Sequence, residues 1–142
     1  MVQKNNQEES IRTEDIMEEI SDATSLYFLI LLDNRNKEYR FRSPTEIARK
    51  LCITAKAYHK LITRIKRLGL IKFDDREHEL SSLGVIVVHS IGNIYSALDI
   101  YSKLRAIDII TMSDVTTDEE IHSLIDSLIK DEKIKNILKR IP

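Results

Sequence analysis

Apolar residues recur at helical spacing along most of the chain, and short polar segments separate the runs. A weak pattern from Ile11 to Ile20 predicts a short helix in an N-terminal arm, residues 1–20, whose first ten residues are mostly polar. An Asp or Ser cap precedes the next run, which is strongly apolar, ends at Asp33 and predicts a buried helix. Residues 35–42 then alternate charged and aromatic side chains, which predicts a short strand.

The following segment carries the strongest local signals in the sequence. Ser43 and Glu46 form a capping box around a proline, which predicts the start of a short helix. Thr54 is a second cap, and the helix that it starts over residues 55–68 has one apolar face, with Gly69 as the residue that ends it. The predicted inward positions are Tyr58, Leu61, Ile62, Ile65 and Leu68. Two helices joined by a tight turn predict a helix-turn-helix.

A hairpin, a long helix and a helical tail are predicted after this motif. Residues 70–82 have apolar ends around a polar tip, as a β-hairpin does. A serine cap then precedes a long helical segment, 84–107, in which Gly92 weakens the helix and allows a bend. Thr117 starts another capping box, and two short amphipathic helices are predicted in the tail. Their apolar stripes need a cover, which either this chain or a second copy supplies.

Composition agrees with a helical protein that has one core and a helical extension. The chain has 142 residues, of which 42% are hydrophobic and 32% charged, with only three Gly and two Pro. The longest early apolar run, Leu26–Leu32, is far shorter than the roughly 20 residues that a bilayer span needs, and no signal peptide is recognisable. The single cysteine, Cys52, excludes an internal disulfide. We therefore expect a cytoplasmic location.

The net charge of −1 conceals a strong asymmetry along the chain. Residues 23–73 contain twelve basic and three acidic side chains, whereas every other part of the chain is acidic on balance. Between Ile47 and Phe73 there are eight Lys or Arg and no Asp or Glu. A solvated helix face usually mixes both signs, so this segment indicates a surface that binds a polyanion.

Three short stretches within this order of elements carry a family resemblance. The stretches "IARKL", "GLI" and "LSSLG" begin at Ile47, Gly69 and Leu80, and they are similar to the second helix, the end of the third helix and the close of the wing in winged helix-turn-helix proteins of the MarR and ArsR groups. The resemblance covers about residues 23–104. The long helix and the tail, "EEIHSLIDSLIKDEKIKNILKRI", also resemble archaeal winged-helix regulators.

The resemblance implies a fold, a domain organisation and a function. The expected fold is mainly α with a β-hairpin wing: an arm at 1–20, a winged helix-turn-helix domain at 21–83, and a helical dimerisation and tail region at 84–142. It implies that the helix 55–68 enters the major groove of double-stranded DNA, as part of a homodimeric transcriptional regulator. The alternative is a winged-helix module that binds another protein in a transcription or chromatin assembly.

The candidate DNA-binding residues are basic or polar side chains on the predicted outer face and beside it. Small residues at the start of the helix allow close approach to base edges, and Lys60 and Arg64, four residues apart, can reach guanine or phosphate. The candidates on the helix are Lys56, His59, Lys60, Thr63, Arg64 and Arg67. The candidates for phosphate contacts are Arg40, Arg42, Arg49, Lys50, Lys66 and Lys72.

The hairpin tip, the cysteine and the histidines each leave two interpretations. Arg76 at the tip either enters the minor groove, as wings of this family do, or pairs with its acidic neighbours. Cys52 occupies a turn position where the family often has glycine, and it is either a packed side chain or a redox sensor. The four histidines show no ligand spacing, so no metal is expected, and no catalytic or cofactor motif is present.

The long helix is the predicted dimer interface, although in a monomer it would fold back as core. The candidate interface residues are Val87, Ile91, Ile94, Leu98 and Tyr101. Two-fold pairing would place two recognition helices about 34–36 Å apart and predicts a nearly palindromic site. The family allows a pocket for a small-molecule effector, but no residue of this sequence identifies one, and the tail helices either extend the dimer or recruit a partner.

Overall fold

The computed structural model describes residues 10–33, 44–74, 77–112 and 115–140. That part of the chain contains eight helices and one two-stranded antiparallel sheet, which confirms the predicted mainly α fold with a small hairpin. The elements are α1 Thr13–Ser21, α2 Ala23–Leu31, α3 Pro44–Lys50, α4 Ala55–Arg67, β1 Ile71–Asp74, β2 Glu77–Leu80, α5 Ser82–Asp99, α6 Tyr101–Thr111, α7 Asp118–Leu128 and α8 Glu132–Lys139. The strand predicted in 35–42, the Ser43 cap, and the candidates Arg40, Arg42 and Arg76 lie outside the described residues.

Three helix starts and one helix end lie where short-range signals predict them. The Asp22 carboxylate accepts hydrogen bonds from the backbone N–H groups of residues 24 and 25, at 2.8 and 3.4 Å, and starts α2. Thr54 accepts from the N–H of Ala57 at 3.1 Å and starts α4. Gly69 follows α4 with φ +71°, a conformation that favours glycine at a helix end. The capping box that Thr117 begins is also formed. These predictions are confirmed.

The chain divides into two compact units, residues 1–88 and 89–142. The first unit has a core in which α2, α3, α4, the hairpin and the first turns of α5 bury apolar side chains together. Its most deeply buried hydrophobic residues are Phe28, Leu29, Leu61, Ile65 and Leu70. The hairpin is anchored at its open end, because Ile71 pairs with Leu80 across the ladder and both side chains are buried in this core.

Gly84 lets the first turn of α5 approach the chain between α4 and β1. A Cβ at this position would lie 2.0 Å from the backbone oxygen of Leu70, so no larger residue fits without displacing backbone. The same oxygen accepts a hydrogen bond from the N–H of Ser81 at 3.0 Å. The glycine of the "LSSLG" stretch therefore has a local packing function.

The apolar stripes of the two tail helices pack within the second unit. The buried residues of this unit pack together: Ile107 of α6, Ile125 of α7, Ile129 directly after α7, and Ile134 of α8. This chain therefore covers much of its own tail. Partly buried apolar residues pack around them: Ala97, Ile100, Leu104, Ile121, Leu124, Leu128 and Leu138.

The prediction of one long helical segment over 84–107 with a bend at Gly92 is wrong about the position of the bend. The helix passes through Gly92 and instead breaks at Ile100, where α5 and α6 meet at an angle of 76°. No Gly or Pro lies at this break. Ile100, Leu104 and Ile107 all pack in the second core, so tertiary burial is the physical reason for the bend.

Among the described residues no single helix is long and apolar enough for a membrane span, although α5 and α6 pass that test when taken together.

Candidate nucleic-acid interface

Helix α4 has one face in the core and the opposite face in solvent, as its periodicity predicts. Tyr58, Leu61 and Ile65 are buried, and Ile62 and Leu68 are partly buried against the same core. The phenol ring of Tyr58 meets the ring of Phe28 edge to face, with centroids 6.1 Å apart. Because the apolar side is held in this way, the orientation of the polar side is determined by the core.

The exposed side of α4 presents a row of polar and cationic side chains. Lys56, Lys60, Thr63 and Arg67 are all exposed and are spaced by four, three and four residues, so they follow one line along the helix. A surface depression of about 450 Å³ lies along this side, and its lining residues are Lys56, His59, Lys60, Thr63 and Arg64. The Thr63 hydroxyl donates to the backbone oxygen of His59 at 2.9 Å, which leaves its lone pairs available as acceptors.

The second cationic group lies at the end of α3. Arg49 and Lys50 are exposed in the last turn of this helix. Arg49 and His59 both line a cavity of about 330 Å³ between α3 and α4. The structure thus brings these α3 and α4 candidates to adjacent parts of one unit. Lys72, a predicted phosphate ligand, lies instead across the hairpin ladder from Glu79, with Nζ 3.7 Å from the carboxylate.

Arg64 has a partner that the sequence pattern did not identify. Its Nε donates to Oε1 of Glu19 in α1 at 3.1 Å, and the two residues are 45 positions apart in the chain. A cavity of about 750 Å³ adjoins this ion pair, and its lining combines carboxylates with arginines. The lining residues are Ser10, Ile11, Arg12, Asp15, Glu18, Glu19, Asp22, Arg64, Arg67 and Leu68. Carboxylates of α1 therefore lie close to the C-terminal end of α4, at Arg64 and Arg67.

The turn between α3 and α4 contains Cys52, whose side chain is exposed. Its φ is +58°, in the left-handed region that favours glycine, which is consistent with the turn position predicted for it.

In the hairpin, burial lowers the pKa of His78 below its ordinary value, and the nearby charge of Lys66 lowers this pKa further. Among the described residues, no three His, Cys, Asp or Glu side chains converge as a metal site would require.

The predicted dimer residues divide into two groups. Val87 packs against the first core, and Ile91 is buried. Ile94, Leu98 and Tyr101 are 60%, 62% and 56% exposed. Of the predicted interface residues, these three are the ones exposed enough for a partner to cover.

Comparisons with protein families, with curated proteins and with solved structures find no match to this chain. Its class must therefore be inferred from the surface itself: a helix held by its apolar side, with a line of exposed cationic and polar side chains and no carboxylate between residues 47 and 73. This arrangement can neutralise closely spaced negative charges, and it offers donors for acceptor groups.

Proposed function

We propose that this protein is a sequence-specific double-stranded DNA-binding protein, a transcriptional regulator of winged helix-turn-helix type that acts as a homodimer. The observation that carries the proposal is the exposed line Lys56, Lys60, Thr63 and Arg67 on a helix whose other side is buried. Its mechanism is occupancy of promoter DNA rather than chemistry.

The dimensions of α4 suit the major groove. Thirteen residues give a helix about 20 Å long, and the groove is about 12 Å wide, which admits one helix. Ala55 and Ala57 at the first turn have small side chains, so the N-terminal end can approach base edges closely. Lys60 and Arg67 then lie further along the helix, where they can reach guanine or phosphate.

The flanking charges support the same orientation. Arg49 and Lys50, at the end of α3, are exposed beside the start of α4 and would contact phosphates. Carboxylates of α1 line the cavity beside Arg64 and Arg67 and would repel phosphates there.

A homodimer fits the exposed apolar side chains of the second unit. Ile94 and Leu98 are one helical turn apart on α5, and Tyr101 follows at the start of α6. A two-fold interface brings the same patch of both copies together, so self-complementary apolar contacts suffice. Two copies would present two α4 helices to successive turns of DNA.

A duplex titration tests the proposal. Fluorescence anisotropy with a random-sequence duplex at several salt concentrations should give log K that falls linearly with log salt, with a slope of about −0.9 for each phosphate neutralised. The double variant Lys56→Glu plus Lys60→Glu should weaken binding at least about tenfold and make the slope shallower by about 2.

The matched control is Lys130→Glu plus Lys133→Glu, which changes the net charge equally at exposed positions of the second unit. This control should bind within about twofold of the wild type. Weak binding that neither salt nor the α4 variant alters would contradict the proposal and favour the protein-binding module. Selection from a random duplex library should return one nearly palindromic motif, and the absence of any motif would contradict sequence specificity.

A further inference from the structure

One carboxylate inside the first unit holds the guanidinium of Arg64. Oε1 of Glu19 accepts from Nε of Arg64 at 3.1 Å and from the hydroxyl of Ser25 at 2.8 Å. Ser25 is fully buried, and only 12% of the Glu19 side chain is exposed. The carboxylate is therefore fixed by a buried hydroxyl on one side while it binds the cation on the other.

This ion pair uses only part of the donor capacity of Arg64. A guanidinium has one N–H on Nε and four more on its two terminal nitrogens, all in one plane. Because the contact runs through Nε, it constrains the plane of the group and does not consume the terminal N–H donors. The Arg64 side chain is 41% exposed and lines the same depression as Lys60 and Thr63. Arg64 is thus bound to Glu19 through Nε and remains accessible from the cationic side of α4.

We propose that Glu19, fixed by Ser25, is a positioning residue that orients Arg64 for bidentate contact with paired acceptors on the duplex. The acceptors are the O6 and N7 atoms of a guanine or two oxygens of a phosphate. This inference rests on the proposed DNA binding. A guanidinium held in one orientation loses less conformational entropy when it binds, so preorganisation increases affinity.

The opposite role, an acidic latch that competes with DNA for Arg64, predicts the opposite sign. Loss of a carboxylate near a polyanion strengthens binding by electrostatics alone. A positioning role predicts that the loss of Glu19 weakens binding despite this gain. The direction of the change therefore separates the two roles.

A double-mutant cycle on duplex affinity provides the test. Glu19→Ala should weaken binding about fivefold to tenfold when Arg64 is present, and by less than about twofold in an Arg64→Ala background. Glu19→Gln, which keeps an oxygen acceptor, should recover part of the loss. Glu18→Ala is the matched control, since it removes an exposed charge from the same helix, and it should bind as well as the wild type or slightly better.

The two acceptor types give different results for Arg64→Ala itself. Loss of a phosphate contact makes the salt slope shallower by about 1 and leaves the selected motif unchanged. Loss of a guanine contact relaxes the motif at one position in each half-site.

A second measurement reports on Arg64 in the DNA-free protein. The ¹⁵Nε–H group of Arg64 should show relaxation typical of a rigid group in the wild type and of a mobile one in Glu19→Ala, with Glu18→Ala unchanged. Stronger duplex binding by Glu19→Ala, equal losses in both Arg64 backgrounds, or an unchanged Nε–H would each overturn the inference. In each of these cases the wild type still binds duplex DNA, so the proposed function stands. A wild type that does not bind duplex DNA overturns the proposed function and, with it, the inference.

Discussion

Single residues on the two sides of α4 show how local chemistry supports the candidate site. Thr54 and Gly69 define the ends of the helix, and each is recognisable from its residue type and position alone. The burial of Tyr58 is equally predictable from the apolar stripe. The state of its hydroxyl is not, because that depends on which groups the fold brings near it.

The Tyr58 hydroxyl is buried without a hydrogen-bond partner among the described residues, and burial raises the pKa of this phenol to about 12 from 10. Because the folded-state pKa is the higher one, ionisation of this group does not affect stability below pH 10, and it lowers the free energy of unfolding as the pH rises from 10 to 12. Tyr58→Phe removes this loss. We expect the wild type to lose about 1 kcal/mol more than the variant between pH 8 and 11, measured by urea unfolding.

At neutral pH the same substitution should leave stability unchanged or raise it by about 1 kcal/mol, since it removes a buried unpaired hydroxyl. A loss above about 1 kcal/mol at pH 7 would indicate that the hydroxyl has a partner. Equal alkaline losses in both proteins would contradict the assignment of the pH dependence to Tyr58.

At the scale of elements, the position of each helix is more predictable than its bends. Helical periodicity located α4 and both tail helices, because it reflects which side of an element is buried. The break at Ile100 has no comparable local signal, and Gly92, where a bend was expected, lies inside a continuous helix.

The two glycines of α5 give a matched pair of predictions for this element. Gly84→Ala places a methyl group against the backbone of Leu70 and should destabilise the first unit by about 3 kcal/mol. Gly92→Ala meets no atom within 4 Å and should stabilise the helix by about 0.5–1 kcal/mol, because alanine loses less entropy. Thermal unfolding followed by circular dichroism measures both. Similar values for the two variants would contradict the close approach of α5 to Leu70.

At the scale of the whole molecule, the cationic side of α4 and the exposed residues of the proposed dimer interface belong to different units. The basic side of α4 belongs to residues 1–88, and the exposed apolar residues of the proposed dimer interface belong to residues 89–142. If the second unit dimerises and the first binds DNA, a change on α4 should weaken duplex binding without preventing dimerisation. A change at the apolar residues of the second unit should prevent dimerisation.

Leu98→Glu tests the proposed dimer. We expect the wild type to sediment with twice the mass of one chain and Leu98→Glu to sediment as a monomer, because a charge would be buried at the centre of an apolar interface. The variant should also bind a two-half-site duplex at least about tenfold more weakly. Ile137→Glu, at an exposed apolar position of α8, is the control and should remain dimeric. A monomeric wild type would contradict the dimer.

The amino-acid order alone located most helices, their caps, the hairpin and the cationic side of α4, because those features depend on interactions within a few residues and on side-chain periodicity. Three features required the folded chain: the contact between Glu19 and Arg64 across 45 residues, the bend at Ile100, and the burial of the tail by its own unit. Each joins groups that are distant in sequence, and the packing that brings them together has no local signature.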